Sequence, residues 1–231
     1  MQAVILAAGR GVRMGSLTSE TPKPLLIVAG KTLLEHKLDV LPPIVDEVVI
    51  VIGYLGEKIR ERLGKRYGRL PIRYVQDKQL GGTAKALAAA KGVLGERFLV
   101  LMGDDLYSAK DLEIMTTHNF AIGAFRQTGV CRPAAAIYLN EDQSVKDIVE
   151  SVSDTSPRLV NTGVYALQRE FLEEEPVLIP GRGEYGLPQT LVKTARRFSL
   201  KVVPFEFWFP ITVPEDLKAA ERIFLGKESM R

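Results

Sequence analysis

The sequence predicts an α/β protein with a doubly wound, mostly parallel mixed sheet, covered by helices in an α/β/α arrangement. Three observations carry this. In the first half, short β-branched runs alternate with helical patterns of about ten residues, as in successive βαβ units. In the second half, β-like runs follow one another closely, which suits an antiparallel or mixed extension of the same sheet. The 231 residues are 46% hydrophobic and contain one Cys, so the core is large enough to stand without disulfides.

Taken in order, Val4–Ala7 reads as a buried strand, Leu33–Val40 as a helix, Glu47–Ile52 as a strand and Glu57–Leu63 as a helix. Strand Ile72–Val75, helix Thr83–Val93 and strand Phe98–Met102 complete the first half. Strand-like runs at Ala121–Phe125, Ala134–Leu139, Val145–Val149 and Val160–Ala166 follow. Helix Gly186–Arg197, strand Leu200–Pro204 and helix Pro214–Leu225 close the chain. Nothing marks a domain boundary, so residues 1–231 are expected to form one domain, with halves of about 1–120 and 121–231 flanking a cleft. In open α/β sheets that cleft lies beyond the carboxyl ends of the strands, where their order switches.

Lys and Arg number 31 against 28 Asp and Glu, and a net charge of +3 gives no footprint for nucleic acid. No stretch approaches the roughly 20 apolar residues of a membrane span, and the N-terminal apolar run is too short for a signal peptide. A soluble, cytoplasmic protein is expected.

The first strand runs into Gly9-Arg10-Gly11-Val12-Arg13-Met14-Gly15. Glycines here allow a tight turn whose N–H groups can approach an anion. The dinucleotide fingerprint fails because Met14 stands where its last Gly belongs, which weighs against an NAD-linked oxidoreductase. A Walker A loop ending at Gly30-Lys31-Thr32 fails at Leu25. What remains is Arg13 in the glycine loop and Lys23 held between Pro22 and Pro24, a pair of cations suited to a polyphosphate.

Ordered blocks along the chain, the last five of them beyond residue 75, extend this pattern. The run Val4 to Met14 is followed by Pro22-Lys23-Pro24-Leu25 and Gly30-Lys31-Thr32-Leu33-Leu34-Glu35-His36. Gln76 with Leu80-Gly81-Gly82-Thr83-Ala84, Leu101-Met102-Gly103-Asp104, Ile148-Val149-Glu150, Asn161-Thr162-Gly163-Val164-Tyr165 and Pro214-Glu215-Asp216-Leu217 come later. Together they resemble the sugar-1-phosphate nucleotidylyltransferases, including glucose-1-phosphate thymidylyltransferases and the uridylyltransferase part of the N-acetylglucosamine-1-phosphate enzymes. The resemblance implies the Rossmann-like fold of the nucleotide-diphospho-sugar transferases. It also implies transfer of a nucleotidyl group from an NTP, UTP or dTTP by preference, to a sugar 1-phosphate. Leu6, Ala7, Ala8, Gly9, Gly11 and Gly103 would line the nucleotide, and Gln76, Gly81, Gly82 and Thr83 would read its base. Asp104 would hold Mg²⁺, and Glu150, Asn161 and Gly163 the sugar. The left-handed β-helix that follows this region in some members, and its acetyltransferase activity, are not expected.

The chemistry fits these residue types. A phosphate monoester is already deprotonated at neutral pH, so its attack on the α-phosphorus needs no general base. The barrier lies in aligning two polyanions and stabilising the departing pyrophosphate, work for Arg13, Lys23 and backbone N–H groups. Asp104 follows a buried strand at the cleft end, the place for a hard-cation ligand, whereas Asp105 reads as a helix cap for the segment from Ser108. His36, His118 and Cys131 read as structural or inert. Trp208 with Phe205, Phe207 and Phe209 reads as core or an oligomer interface.

The sequence also departs from the family pattern. Where many relatives carry a second metal-binding Asp after a Trp, this chain has Trp208-Phe209-Pro210-Ile211-Thr212. Ser151 and Val152 follow Glu150, without the expected Lys for the sugar phosphate. Gly82 looks inserted in the base-reading turn. The alternatives are a cytidylyltransferase acting on a polyol or choline-like phosphate, and a non-catalytic nucleotide-binding relative.

Overall fold

A computed structural model describes residues 1–128, 134–152 and 156–228. Cys131 lies outside the described residues. The first half supplies β1 (Gln2–Ala7), α1 (Leu33–Asp39), β2 (Glu47–Ile52), α2 (Gly56–Leu63), β3 (Leu70–Gln76), α3 (Thr83–Ala89) and β4 (Arg97–Met102). Strands β1, β2 and β4 are apolar along nearly their whole length because both of their faces are covered. They pair in parallel in the order β3-β2-β1-β4, with Leu6 opposite Val51 and Ile5 opposite Leu101. The order reverses at β1, so the crevice opens beyond the ends of β1 and β4.

The second half adds α4 (Ala109–Met115), β5 (Ala121–Gln127), β6 (Ala134–Leu139), β7 (Val145–Val152) and β8 (Arg158–Gln168). Then come α5 (Leu187–Phe198), β9 (Lys201–Phe205) and α6 (Pro214–Glu228). Strand β8 joins the halves. Its C-terminal residues run antiparallel to β4, with Tyr165 opposite Val100, and its N-terminal residues pair with β6. Along β5 its register slips between Asn161 and Tyr165, opposite Ala124 and Ile122. Gly163 forms this bulge at φ +73°, where a Cβ would strike Met102. The mixed extension is as expected, with β9 parallel to β5.

Buried side chains gather on both faces of the sheet. Ala86, Leu87, Leu187 and Leu191 of α3 and α5 cover one face, and Leu34, Ile59 and Leu112 of α1, α2 and α4 the other. A third cluster of Met14, Leu26, Leu33, Leu106, Ile211 and Ala220 anchors α6 beneath the N-terminal loops. Helix α1 starts with a capping box in which the Thr32 hydroxyl accepts from the Glu35 N–H and the Glu35 carboxylate from the Thr32 N–H. The helix expected over 83–93 ends at Ala89, and Lys91–Val93 forms a separate tight turn around Gly92. Among the described residues no helix is long and apolar enough to cross a membrane.

Candidate active site

The loops after β1, β3 and β4 meet the β5–β8 half across a cavity of about 1100 Å³. Arg13, Lys23 and Asp104 all line it, with Leu6, Ala7, Ala8, Gly9 and Gly11. Gly11 sits at φ +64°, with Lys23 packed against its Cα, so the glycine loop and the lysine loop fit together. Lys23 is buried, in a short turn after Pro22, and its Nζ donates to Asp104 Oδ2 at 2.5 Å. Gly103 passes within van der Waals contact of β1 and donates to the Leu6 carbonyl, which fixes Asp104 at the crevice.

Burial alone would raise the Asp104 carboxyl, but the Lys23 ammonium, by charge and hydrogen bond, and Lys37 behind it outweigh that and hold it below the ordinary value. Asp105 goes the other way. Burial, then the neighbouring Asp104 charge, pushes it up to about 7. Lys37 was not singled out in the sequence. It is fully enclosed, donates to the carbonyls of Asp105 and Leu33, and is drawn down to about 8 by that burial.

The helix-cap role expected for Asp105 is corrected. Ser108 caps α4, while Asp105 Oδ2 accepts from the Trp208 indole N–H at 2.9 Å. The reason is the short ribbon Asp105–Tyr107 with Trp208–Pro210, which draws residue 105 away from the helix. Pro210 pairs with Asp105, and Pro210, Thr212 and Trp208 line the cavity. Phe205 is core and Phe207 and Phe209 pack on the third cluster, so Trp208 alone of this aromatic group faces the cleft. His36 is structural: its ring packs at a tilt against Phe224 and its Nε2 bonds to the Val28 carbonyl.

On the opposite wall stand Glu150, Asn161 and Gly163. Asn161 is oriented by the bulge, accepting from the Gly163 N–H and donating to the Tyr165 hydroxyl. Two further residues there were not read from the sequence. Arg182, between Gly181 and Gly183 of the 179–186 hairpin, reaches Glu150 at 3.8 Å. Gln189 donates to Glu150 and leaves its Oε1 buried without a partner. A cation in a Gly-Arg-Gly tip was the available signal for Arg182; nothing local marked Gln189.

Base-reading residues are brought together only in part. Gly82 and Thr83 line the cavity, but Gln76 and Gly81 do not. Gln76 ends β3 exposed, while the next residue, Asp77, is buried and lines the cavity. Strand alternation is the reason, since Asp77 shares the α3 face with Val75 and Gln76 the opposite one. Gly82, at φ +96°, lies against the Tyr185 backbone; Tyr185 donates to the Gly81 carbonyl, and Lys85 sits 4.7 Å over its ring.

A doubly wound sheet with a glycine loop, two cations and a carboxylate at its switch point defines a nucleotide-handling transferase fold. The chain belongs to the NTP transferases: residues 3–152 match the family model of the MobA-like NTP transferase domain. Its relatives include a sugar-1-phosphate uridylyltransferase and a CMP-5'-(3-aminopropyl)phosphonate synthase of Streptomyces rubellomurinus. It is 29% identical over 234 residues to the UTP–glucose-1-phosphate uridylyltransferase AglF of Haloferax volcanii, covering 96% of each chain. It is 32% identical over 232 residues to the bifunctional protein GlmU of Methanococcus maripaludis strain C7, covering 98% of this chain but 55% of that one. The chain thus spans about half the length of the GlmU relatives it matches. The fold is shared with HddC of Yersinia pseudotuberculosis, at 23% identity and TM-score 0.76, covering 96% of this chain and 99% of that one.

Proposed function

We propose that this protein transfers a nucleotidyl group from a nucleoside triphosphate to a sugar 1-phosphate, releasing pyrophosphate, with Mg²⁺ as cofactor. The observation that carries this reading is the convergence of Arg13, Lys23 and Asp104, from three separate segments, on one cavity beside the backbone of residues 8–11. The glycine-loop N–H groups and Arg13 hold the triphosphate, and Lys23 offers positive charge where the pyrophosphate departs. Glu150, Asn161 and the orphaned Gln189 acceptor suit sugar hydroxyls. Arg182 takes the place of the absent lysine after Glu150 and holds the acceptor phosphate.

The donor set fits a divalent cation. Asp104 is one-third exposed on the cavity wall, and one carboxylate with phosphate oxygens and water is a shell that Mg²⁺ accepts. Pro210 offers no side-chain ligand, and Asp104 is the carboxylate proposed for the ion. When bound, the ion would offset charge on the phosphates. UTP is the donor in the name of the Haloferax relative, and UTP or dTTP is what the sequence pattern implied; the group at the base end of this cavity is Asp77 instead of a carboxamide.

A matrix of NTPs against sugar 1-phosphates, with and without Mg²⁺, tests the reading by pyrophosphate release. At least one pair should turn over, and only with the metal. Nucleotide binding without pyrophosphate release for any acceptor would leave the non-catalytic alternative standing.

A further inference from the structure

We infer that Asp77 selects the nucleobase, favouring guanine or cytosine over uracil or thymine; this rests on the nucleotidyl-transfer reading above. Asp77 is only 4% exposed and lines the cavity. Its Oδ1 accepts from the Gln79 and Leu80 N–H groups at 3.0 and 3.2 Å, which fixes the carboxylate plane. Its other oxygen has no partner among the described residues. That oxygen stays accessible at the cavity wall, an acceptor free for a ligand N–H.

The surroundings place this oxygen at the base and not at the phosphates. Leu6, Ala8, Leu80, Thr83 and Ala86 line the same cavity, and most of that wall is apolar and suited to a flat ring. Arg13 and Lys23 serve the phosphate end, where the carboxylate present, Asp104, is already paired with Lys23.

The edge chemistry then ranks the bases. A carboxylate only accepts, so it favours donors and is repelled by flanking carbonyls. Guanine presents N1–H beside N2–H₂, two adjacent donors. Cytosine presents N4–H₂, the established partner of acidic side chains, next to one acceptor. Uracil and thymine offer a lone N3–H between two carbonyls. A carboxamide could donate to one of those carbonyls; Asp77 cannot.

Trp208 is the chain's single Trp and lines the cavity, so its fluorescence reports binding. The wild-type protein is titrated with GTP, CTP, UTP and dTTP in the presence of Mg²⁺, and the series is repeated with Asp77→Asn. The expected result is binding of GTP or CTP about tenfold or more tighter than UTP and dTTP, the two arms telling which amino-bearing base leads. Asp77→Asn, which keeps the acceptor for the Gln79 and Leu80 N–H groups, should narrow or reverse the preference, with thermal melting confirming its fold. UTP or dTTP binding the wild type as tightly as GTP and CTP overturns the inference while nucleotidyl transfer stands. Failure of all four to bind overturns both.

Discussion

Lys23 and Asp104, 81 residues apart in sequence, meet in a 2.5 Å ion pair at the mouth of the crevice, with the lysine buried and the aspartate one-third exposed. The pair joins the N-terminal loops to the end of β4. On the proposed function, the cation offered to phosphate is held by a carboxylate until ligands arrive.

Removing either partner leaves the other charge uncompensated. Lys23→Met and Asp104→Asn should each destabilise the protein by about 1–2 kcal/mol, below the range for fully buried pairs because Asp104 is solvated. The double variant should lose less than the sum, a coupling that denaturant unfolding of the four-member cycle reads directly. Both single variants should also lower turnover by about 100-fold or more.

Arg182→Ala should raise KM for the sugar 1-phosphate about tenfold and leave KM for the nucleotide nearly unchanged. Steady-state kinetics with each substrate varied in turn checks the split. An equal rise for both substrates would show that Arg182 does not discriminate between the two phosphates.

Gly82→Ala should be costly out of proportion to its size. Its Cβ would lie 2.5 Å from the Tyr185 carbonyl oxygen, on a backbone at φ +96°. A loss of about 1–3 kcal/mol follows, seen as a melting point lower by several degrees.

The capping box makes stability depend on pH. Burial pushes the Glu35 carboxyl up, but the Thr32 N–H and hydroxyl and the Arg62 guanidinium prevail and hold it below its ordinary 4.5. A carboxylate with a depressed folded pKa stabilises the fold above the ordinary value, and that stability fades as pH falls through the folded one. Glu35→Gln should therefore flatten the acid limb of a melting-temperature profile below about pH 5. Thr32→Ala should cost about 1 kcal/mol near neutral pH.

Much of this site is legible in the sequence because its parts are local. The glycine loop after β1, the proline-flanked Lys23 and Asp104 after β4 each follow from a strand ending at a crevice. Gln76 falls outside the cavity lining and Asp77 inside it because side chains alternate along the strand, and nothing local in the sequence tells which of the two faces inward. Arg182, Gln189 and the Asp105–Trp208 bond depend on segments far apart in the chain, for which no local pattern exists. Lys37 carries no local mark of burial, and only the tertiary placement of the Asp105 carbonyl shows why it is enclosed.

Strand β8 shields one side of β4, yet it is synthesised some sixty residues later. At about 5–20 residues per second, the nascent chain exposes an apolar, unpaired edge for several seconds on the ribosome. During that interval the emerging polypeptide is a natural client for a holdase, and a pause placed between the two strands would favour aggregation over folding.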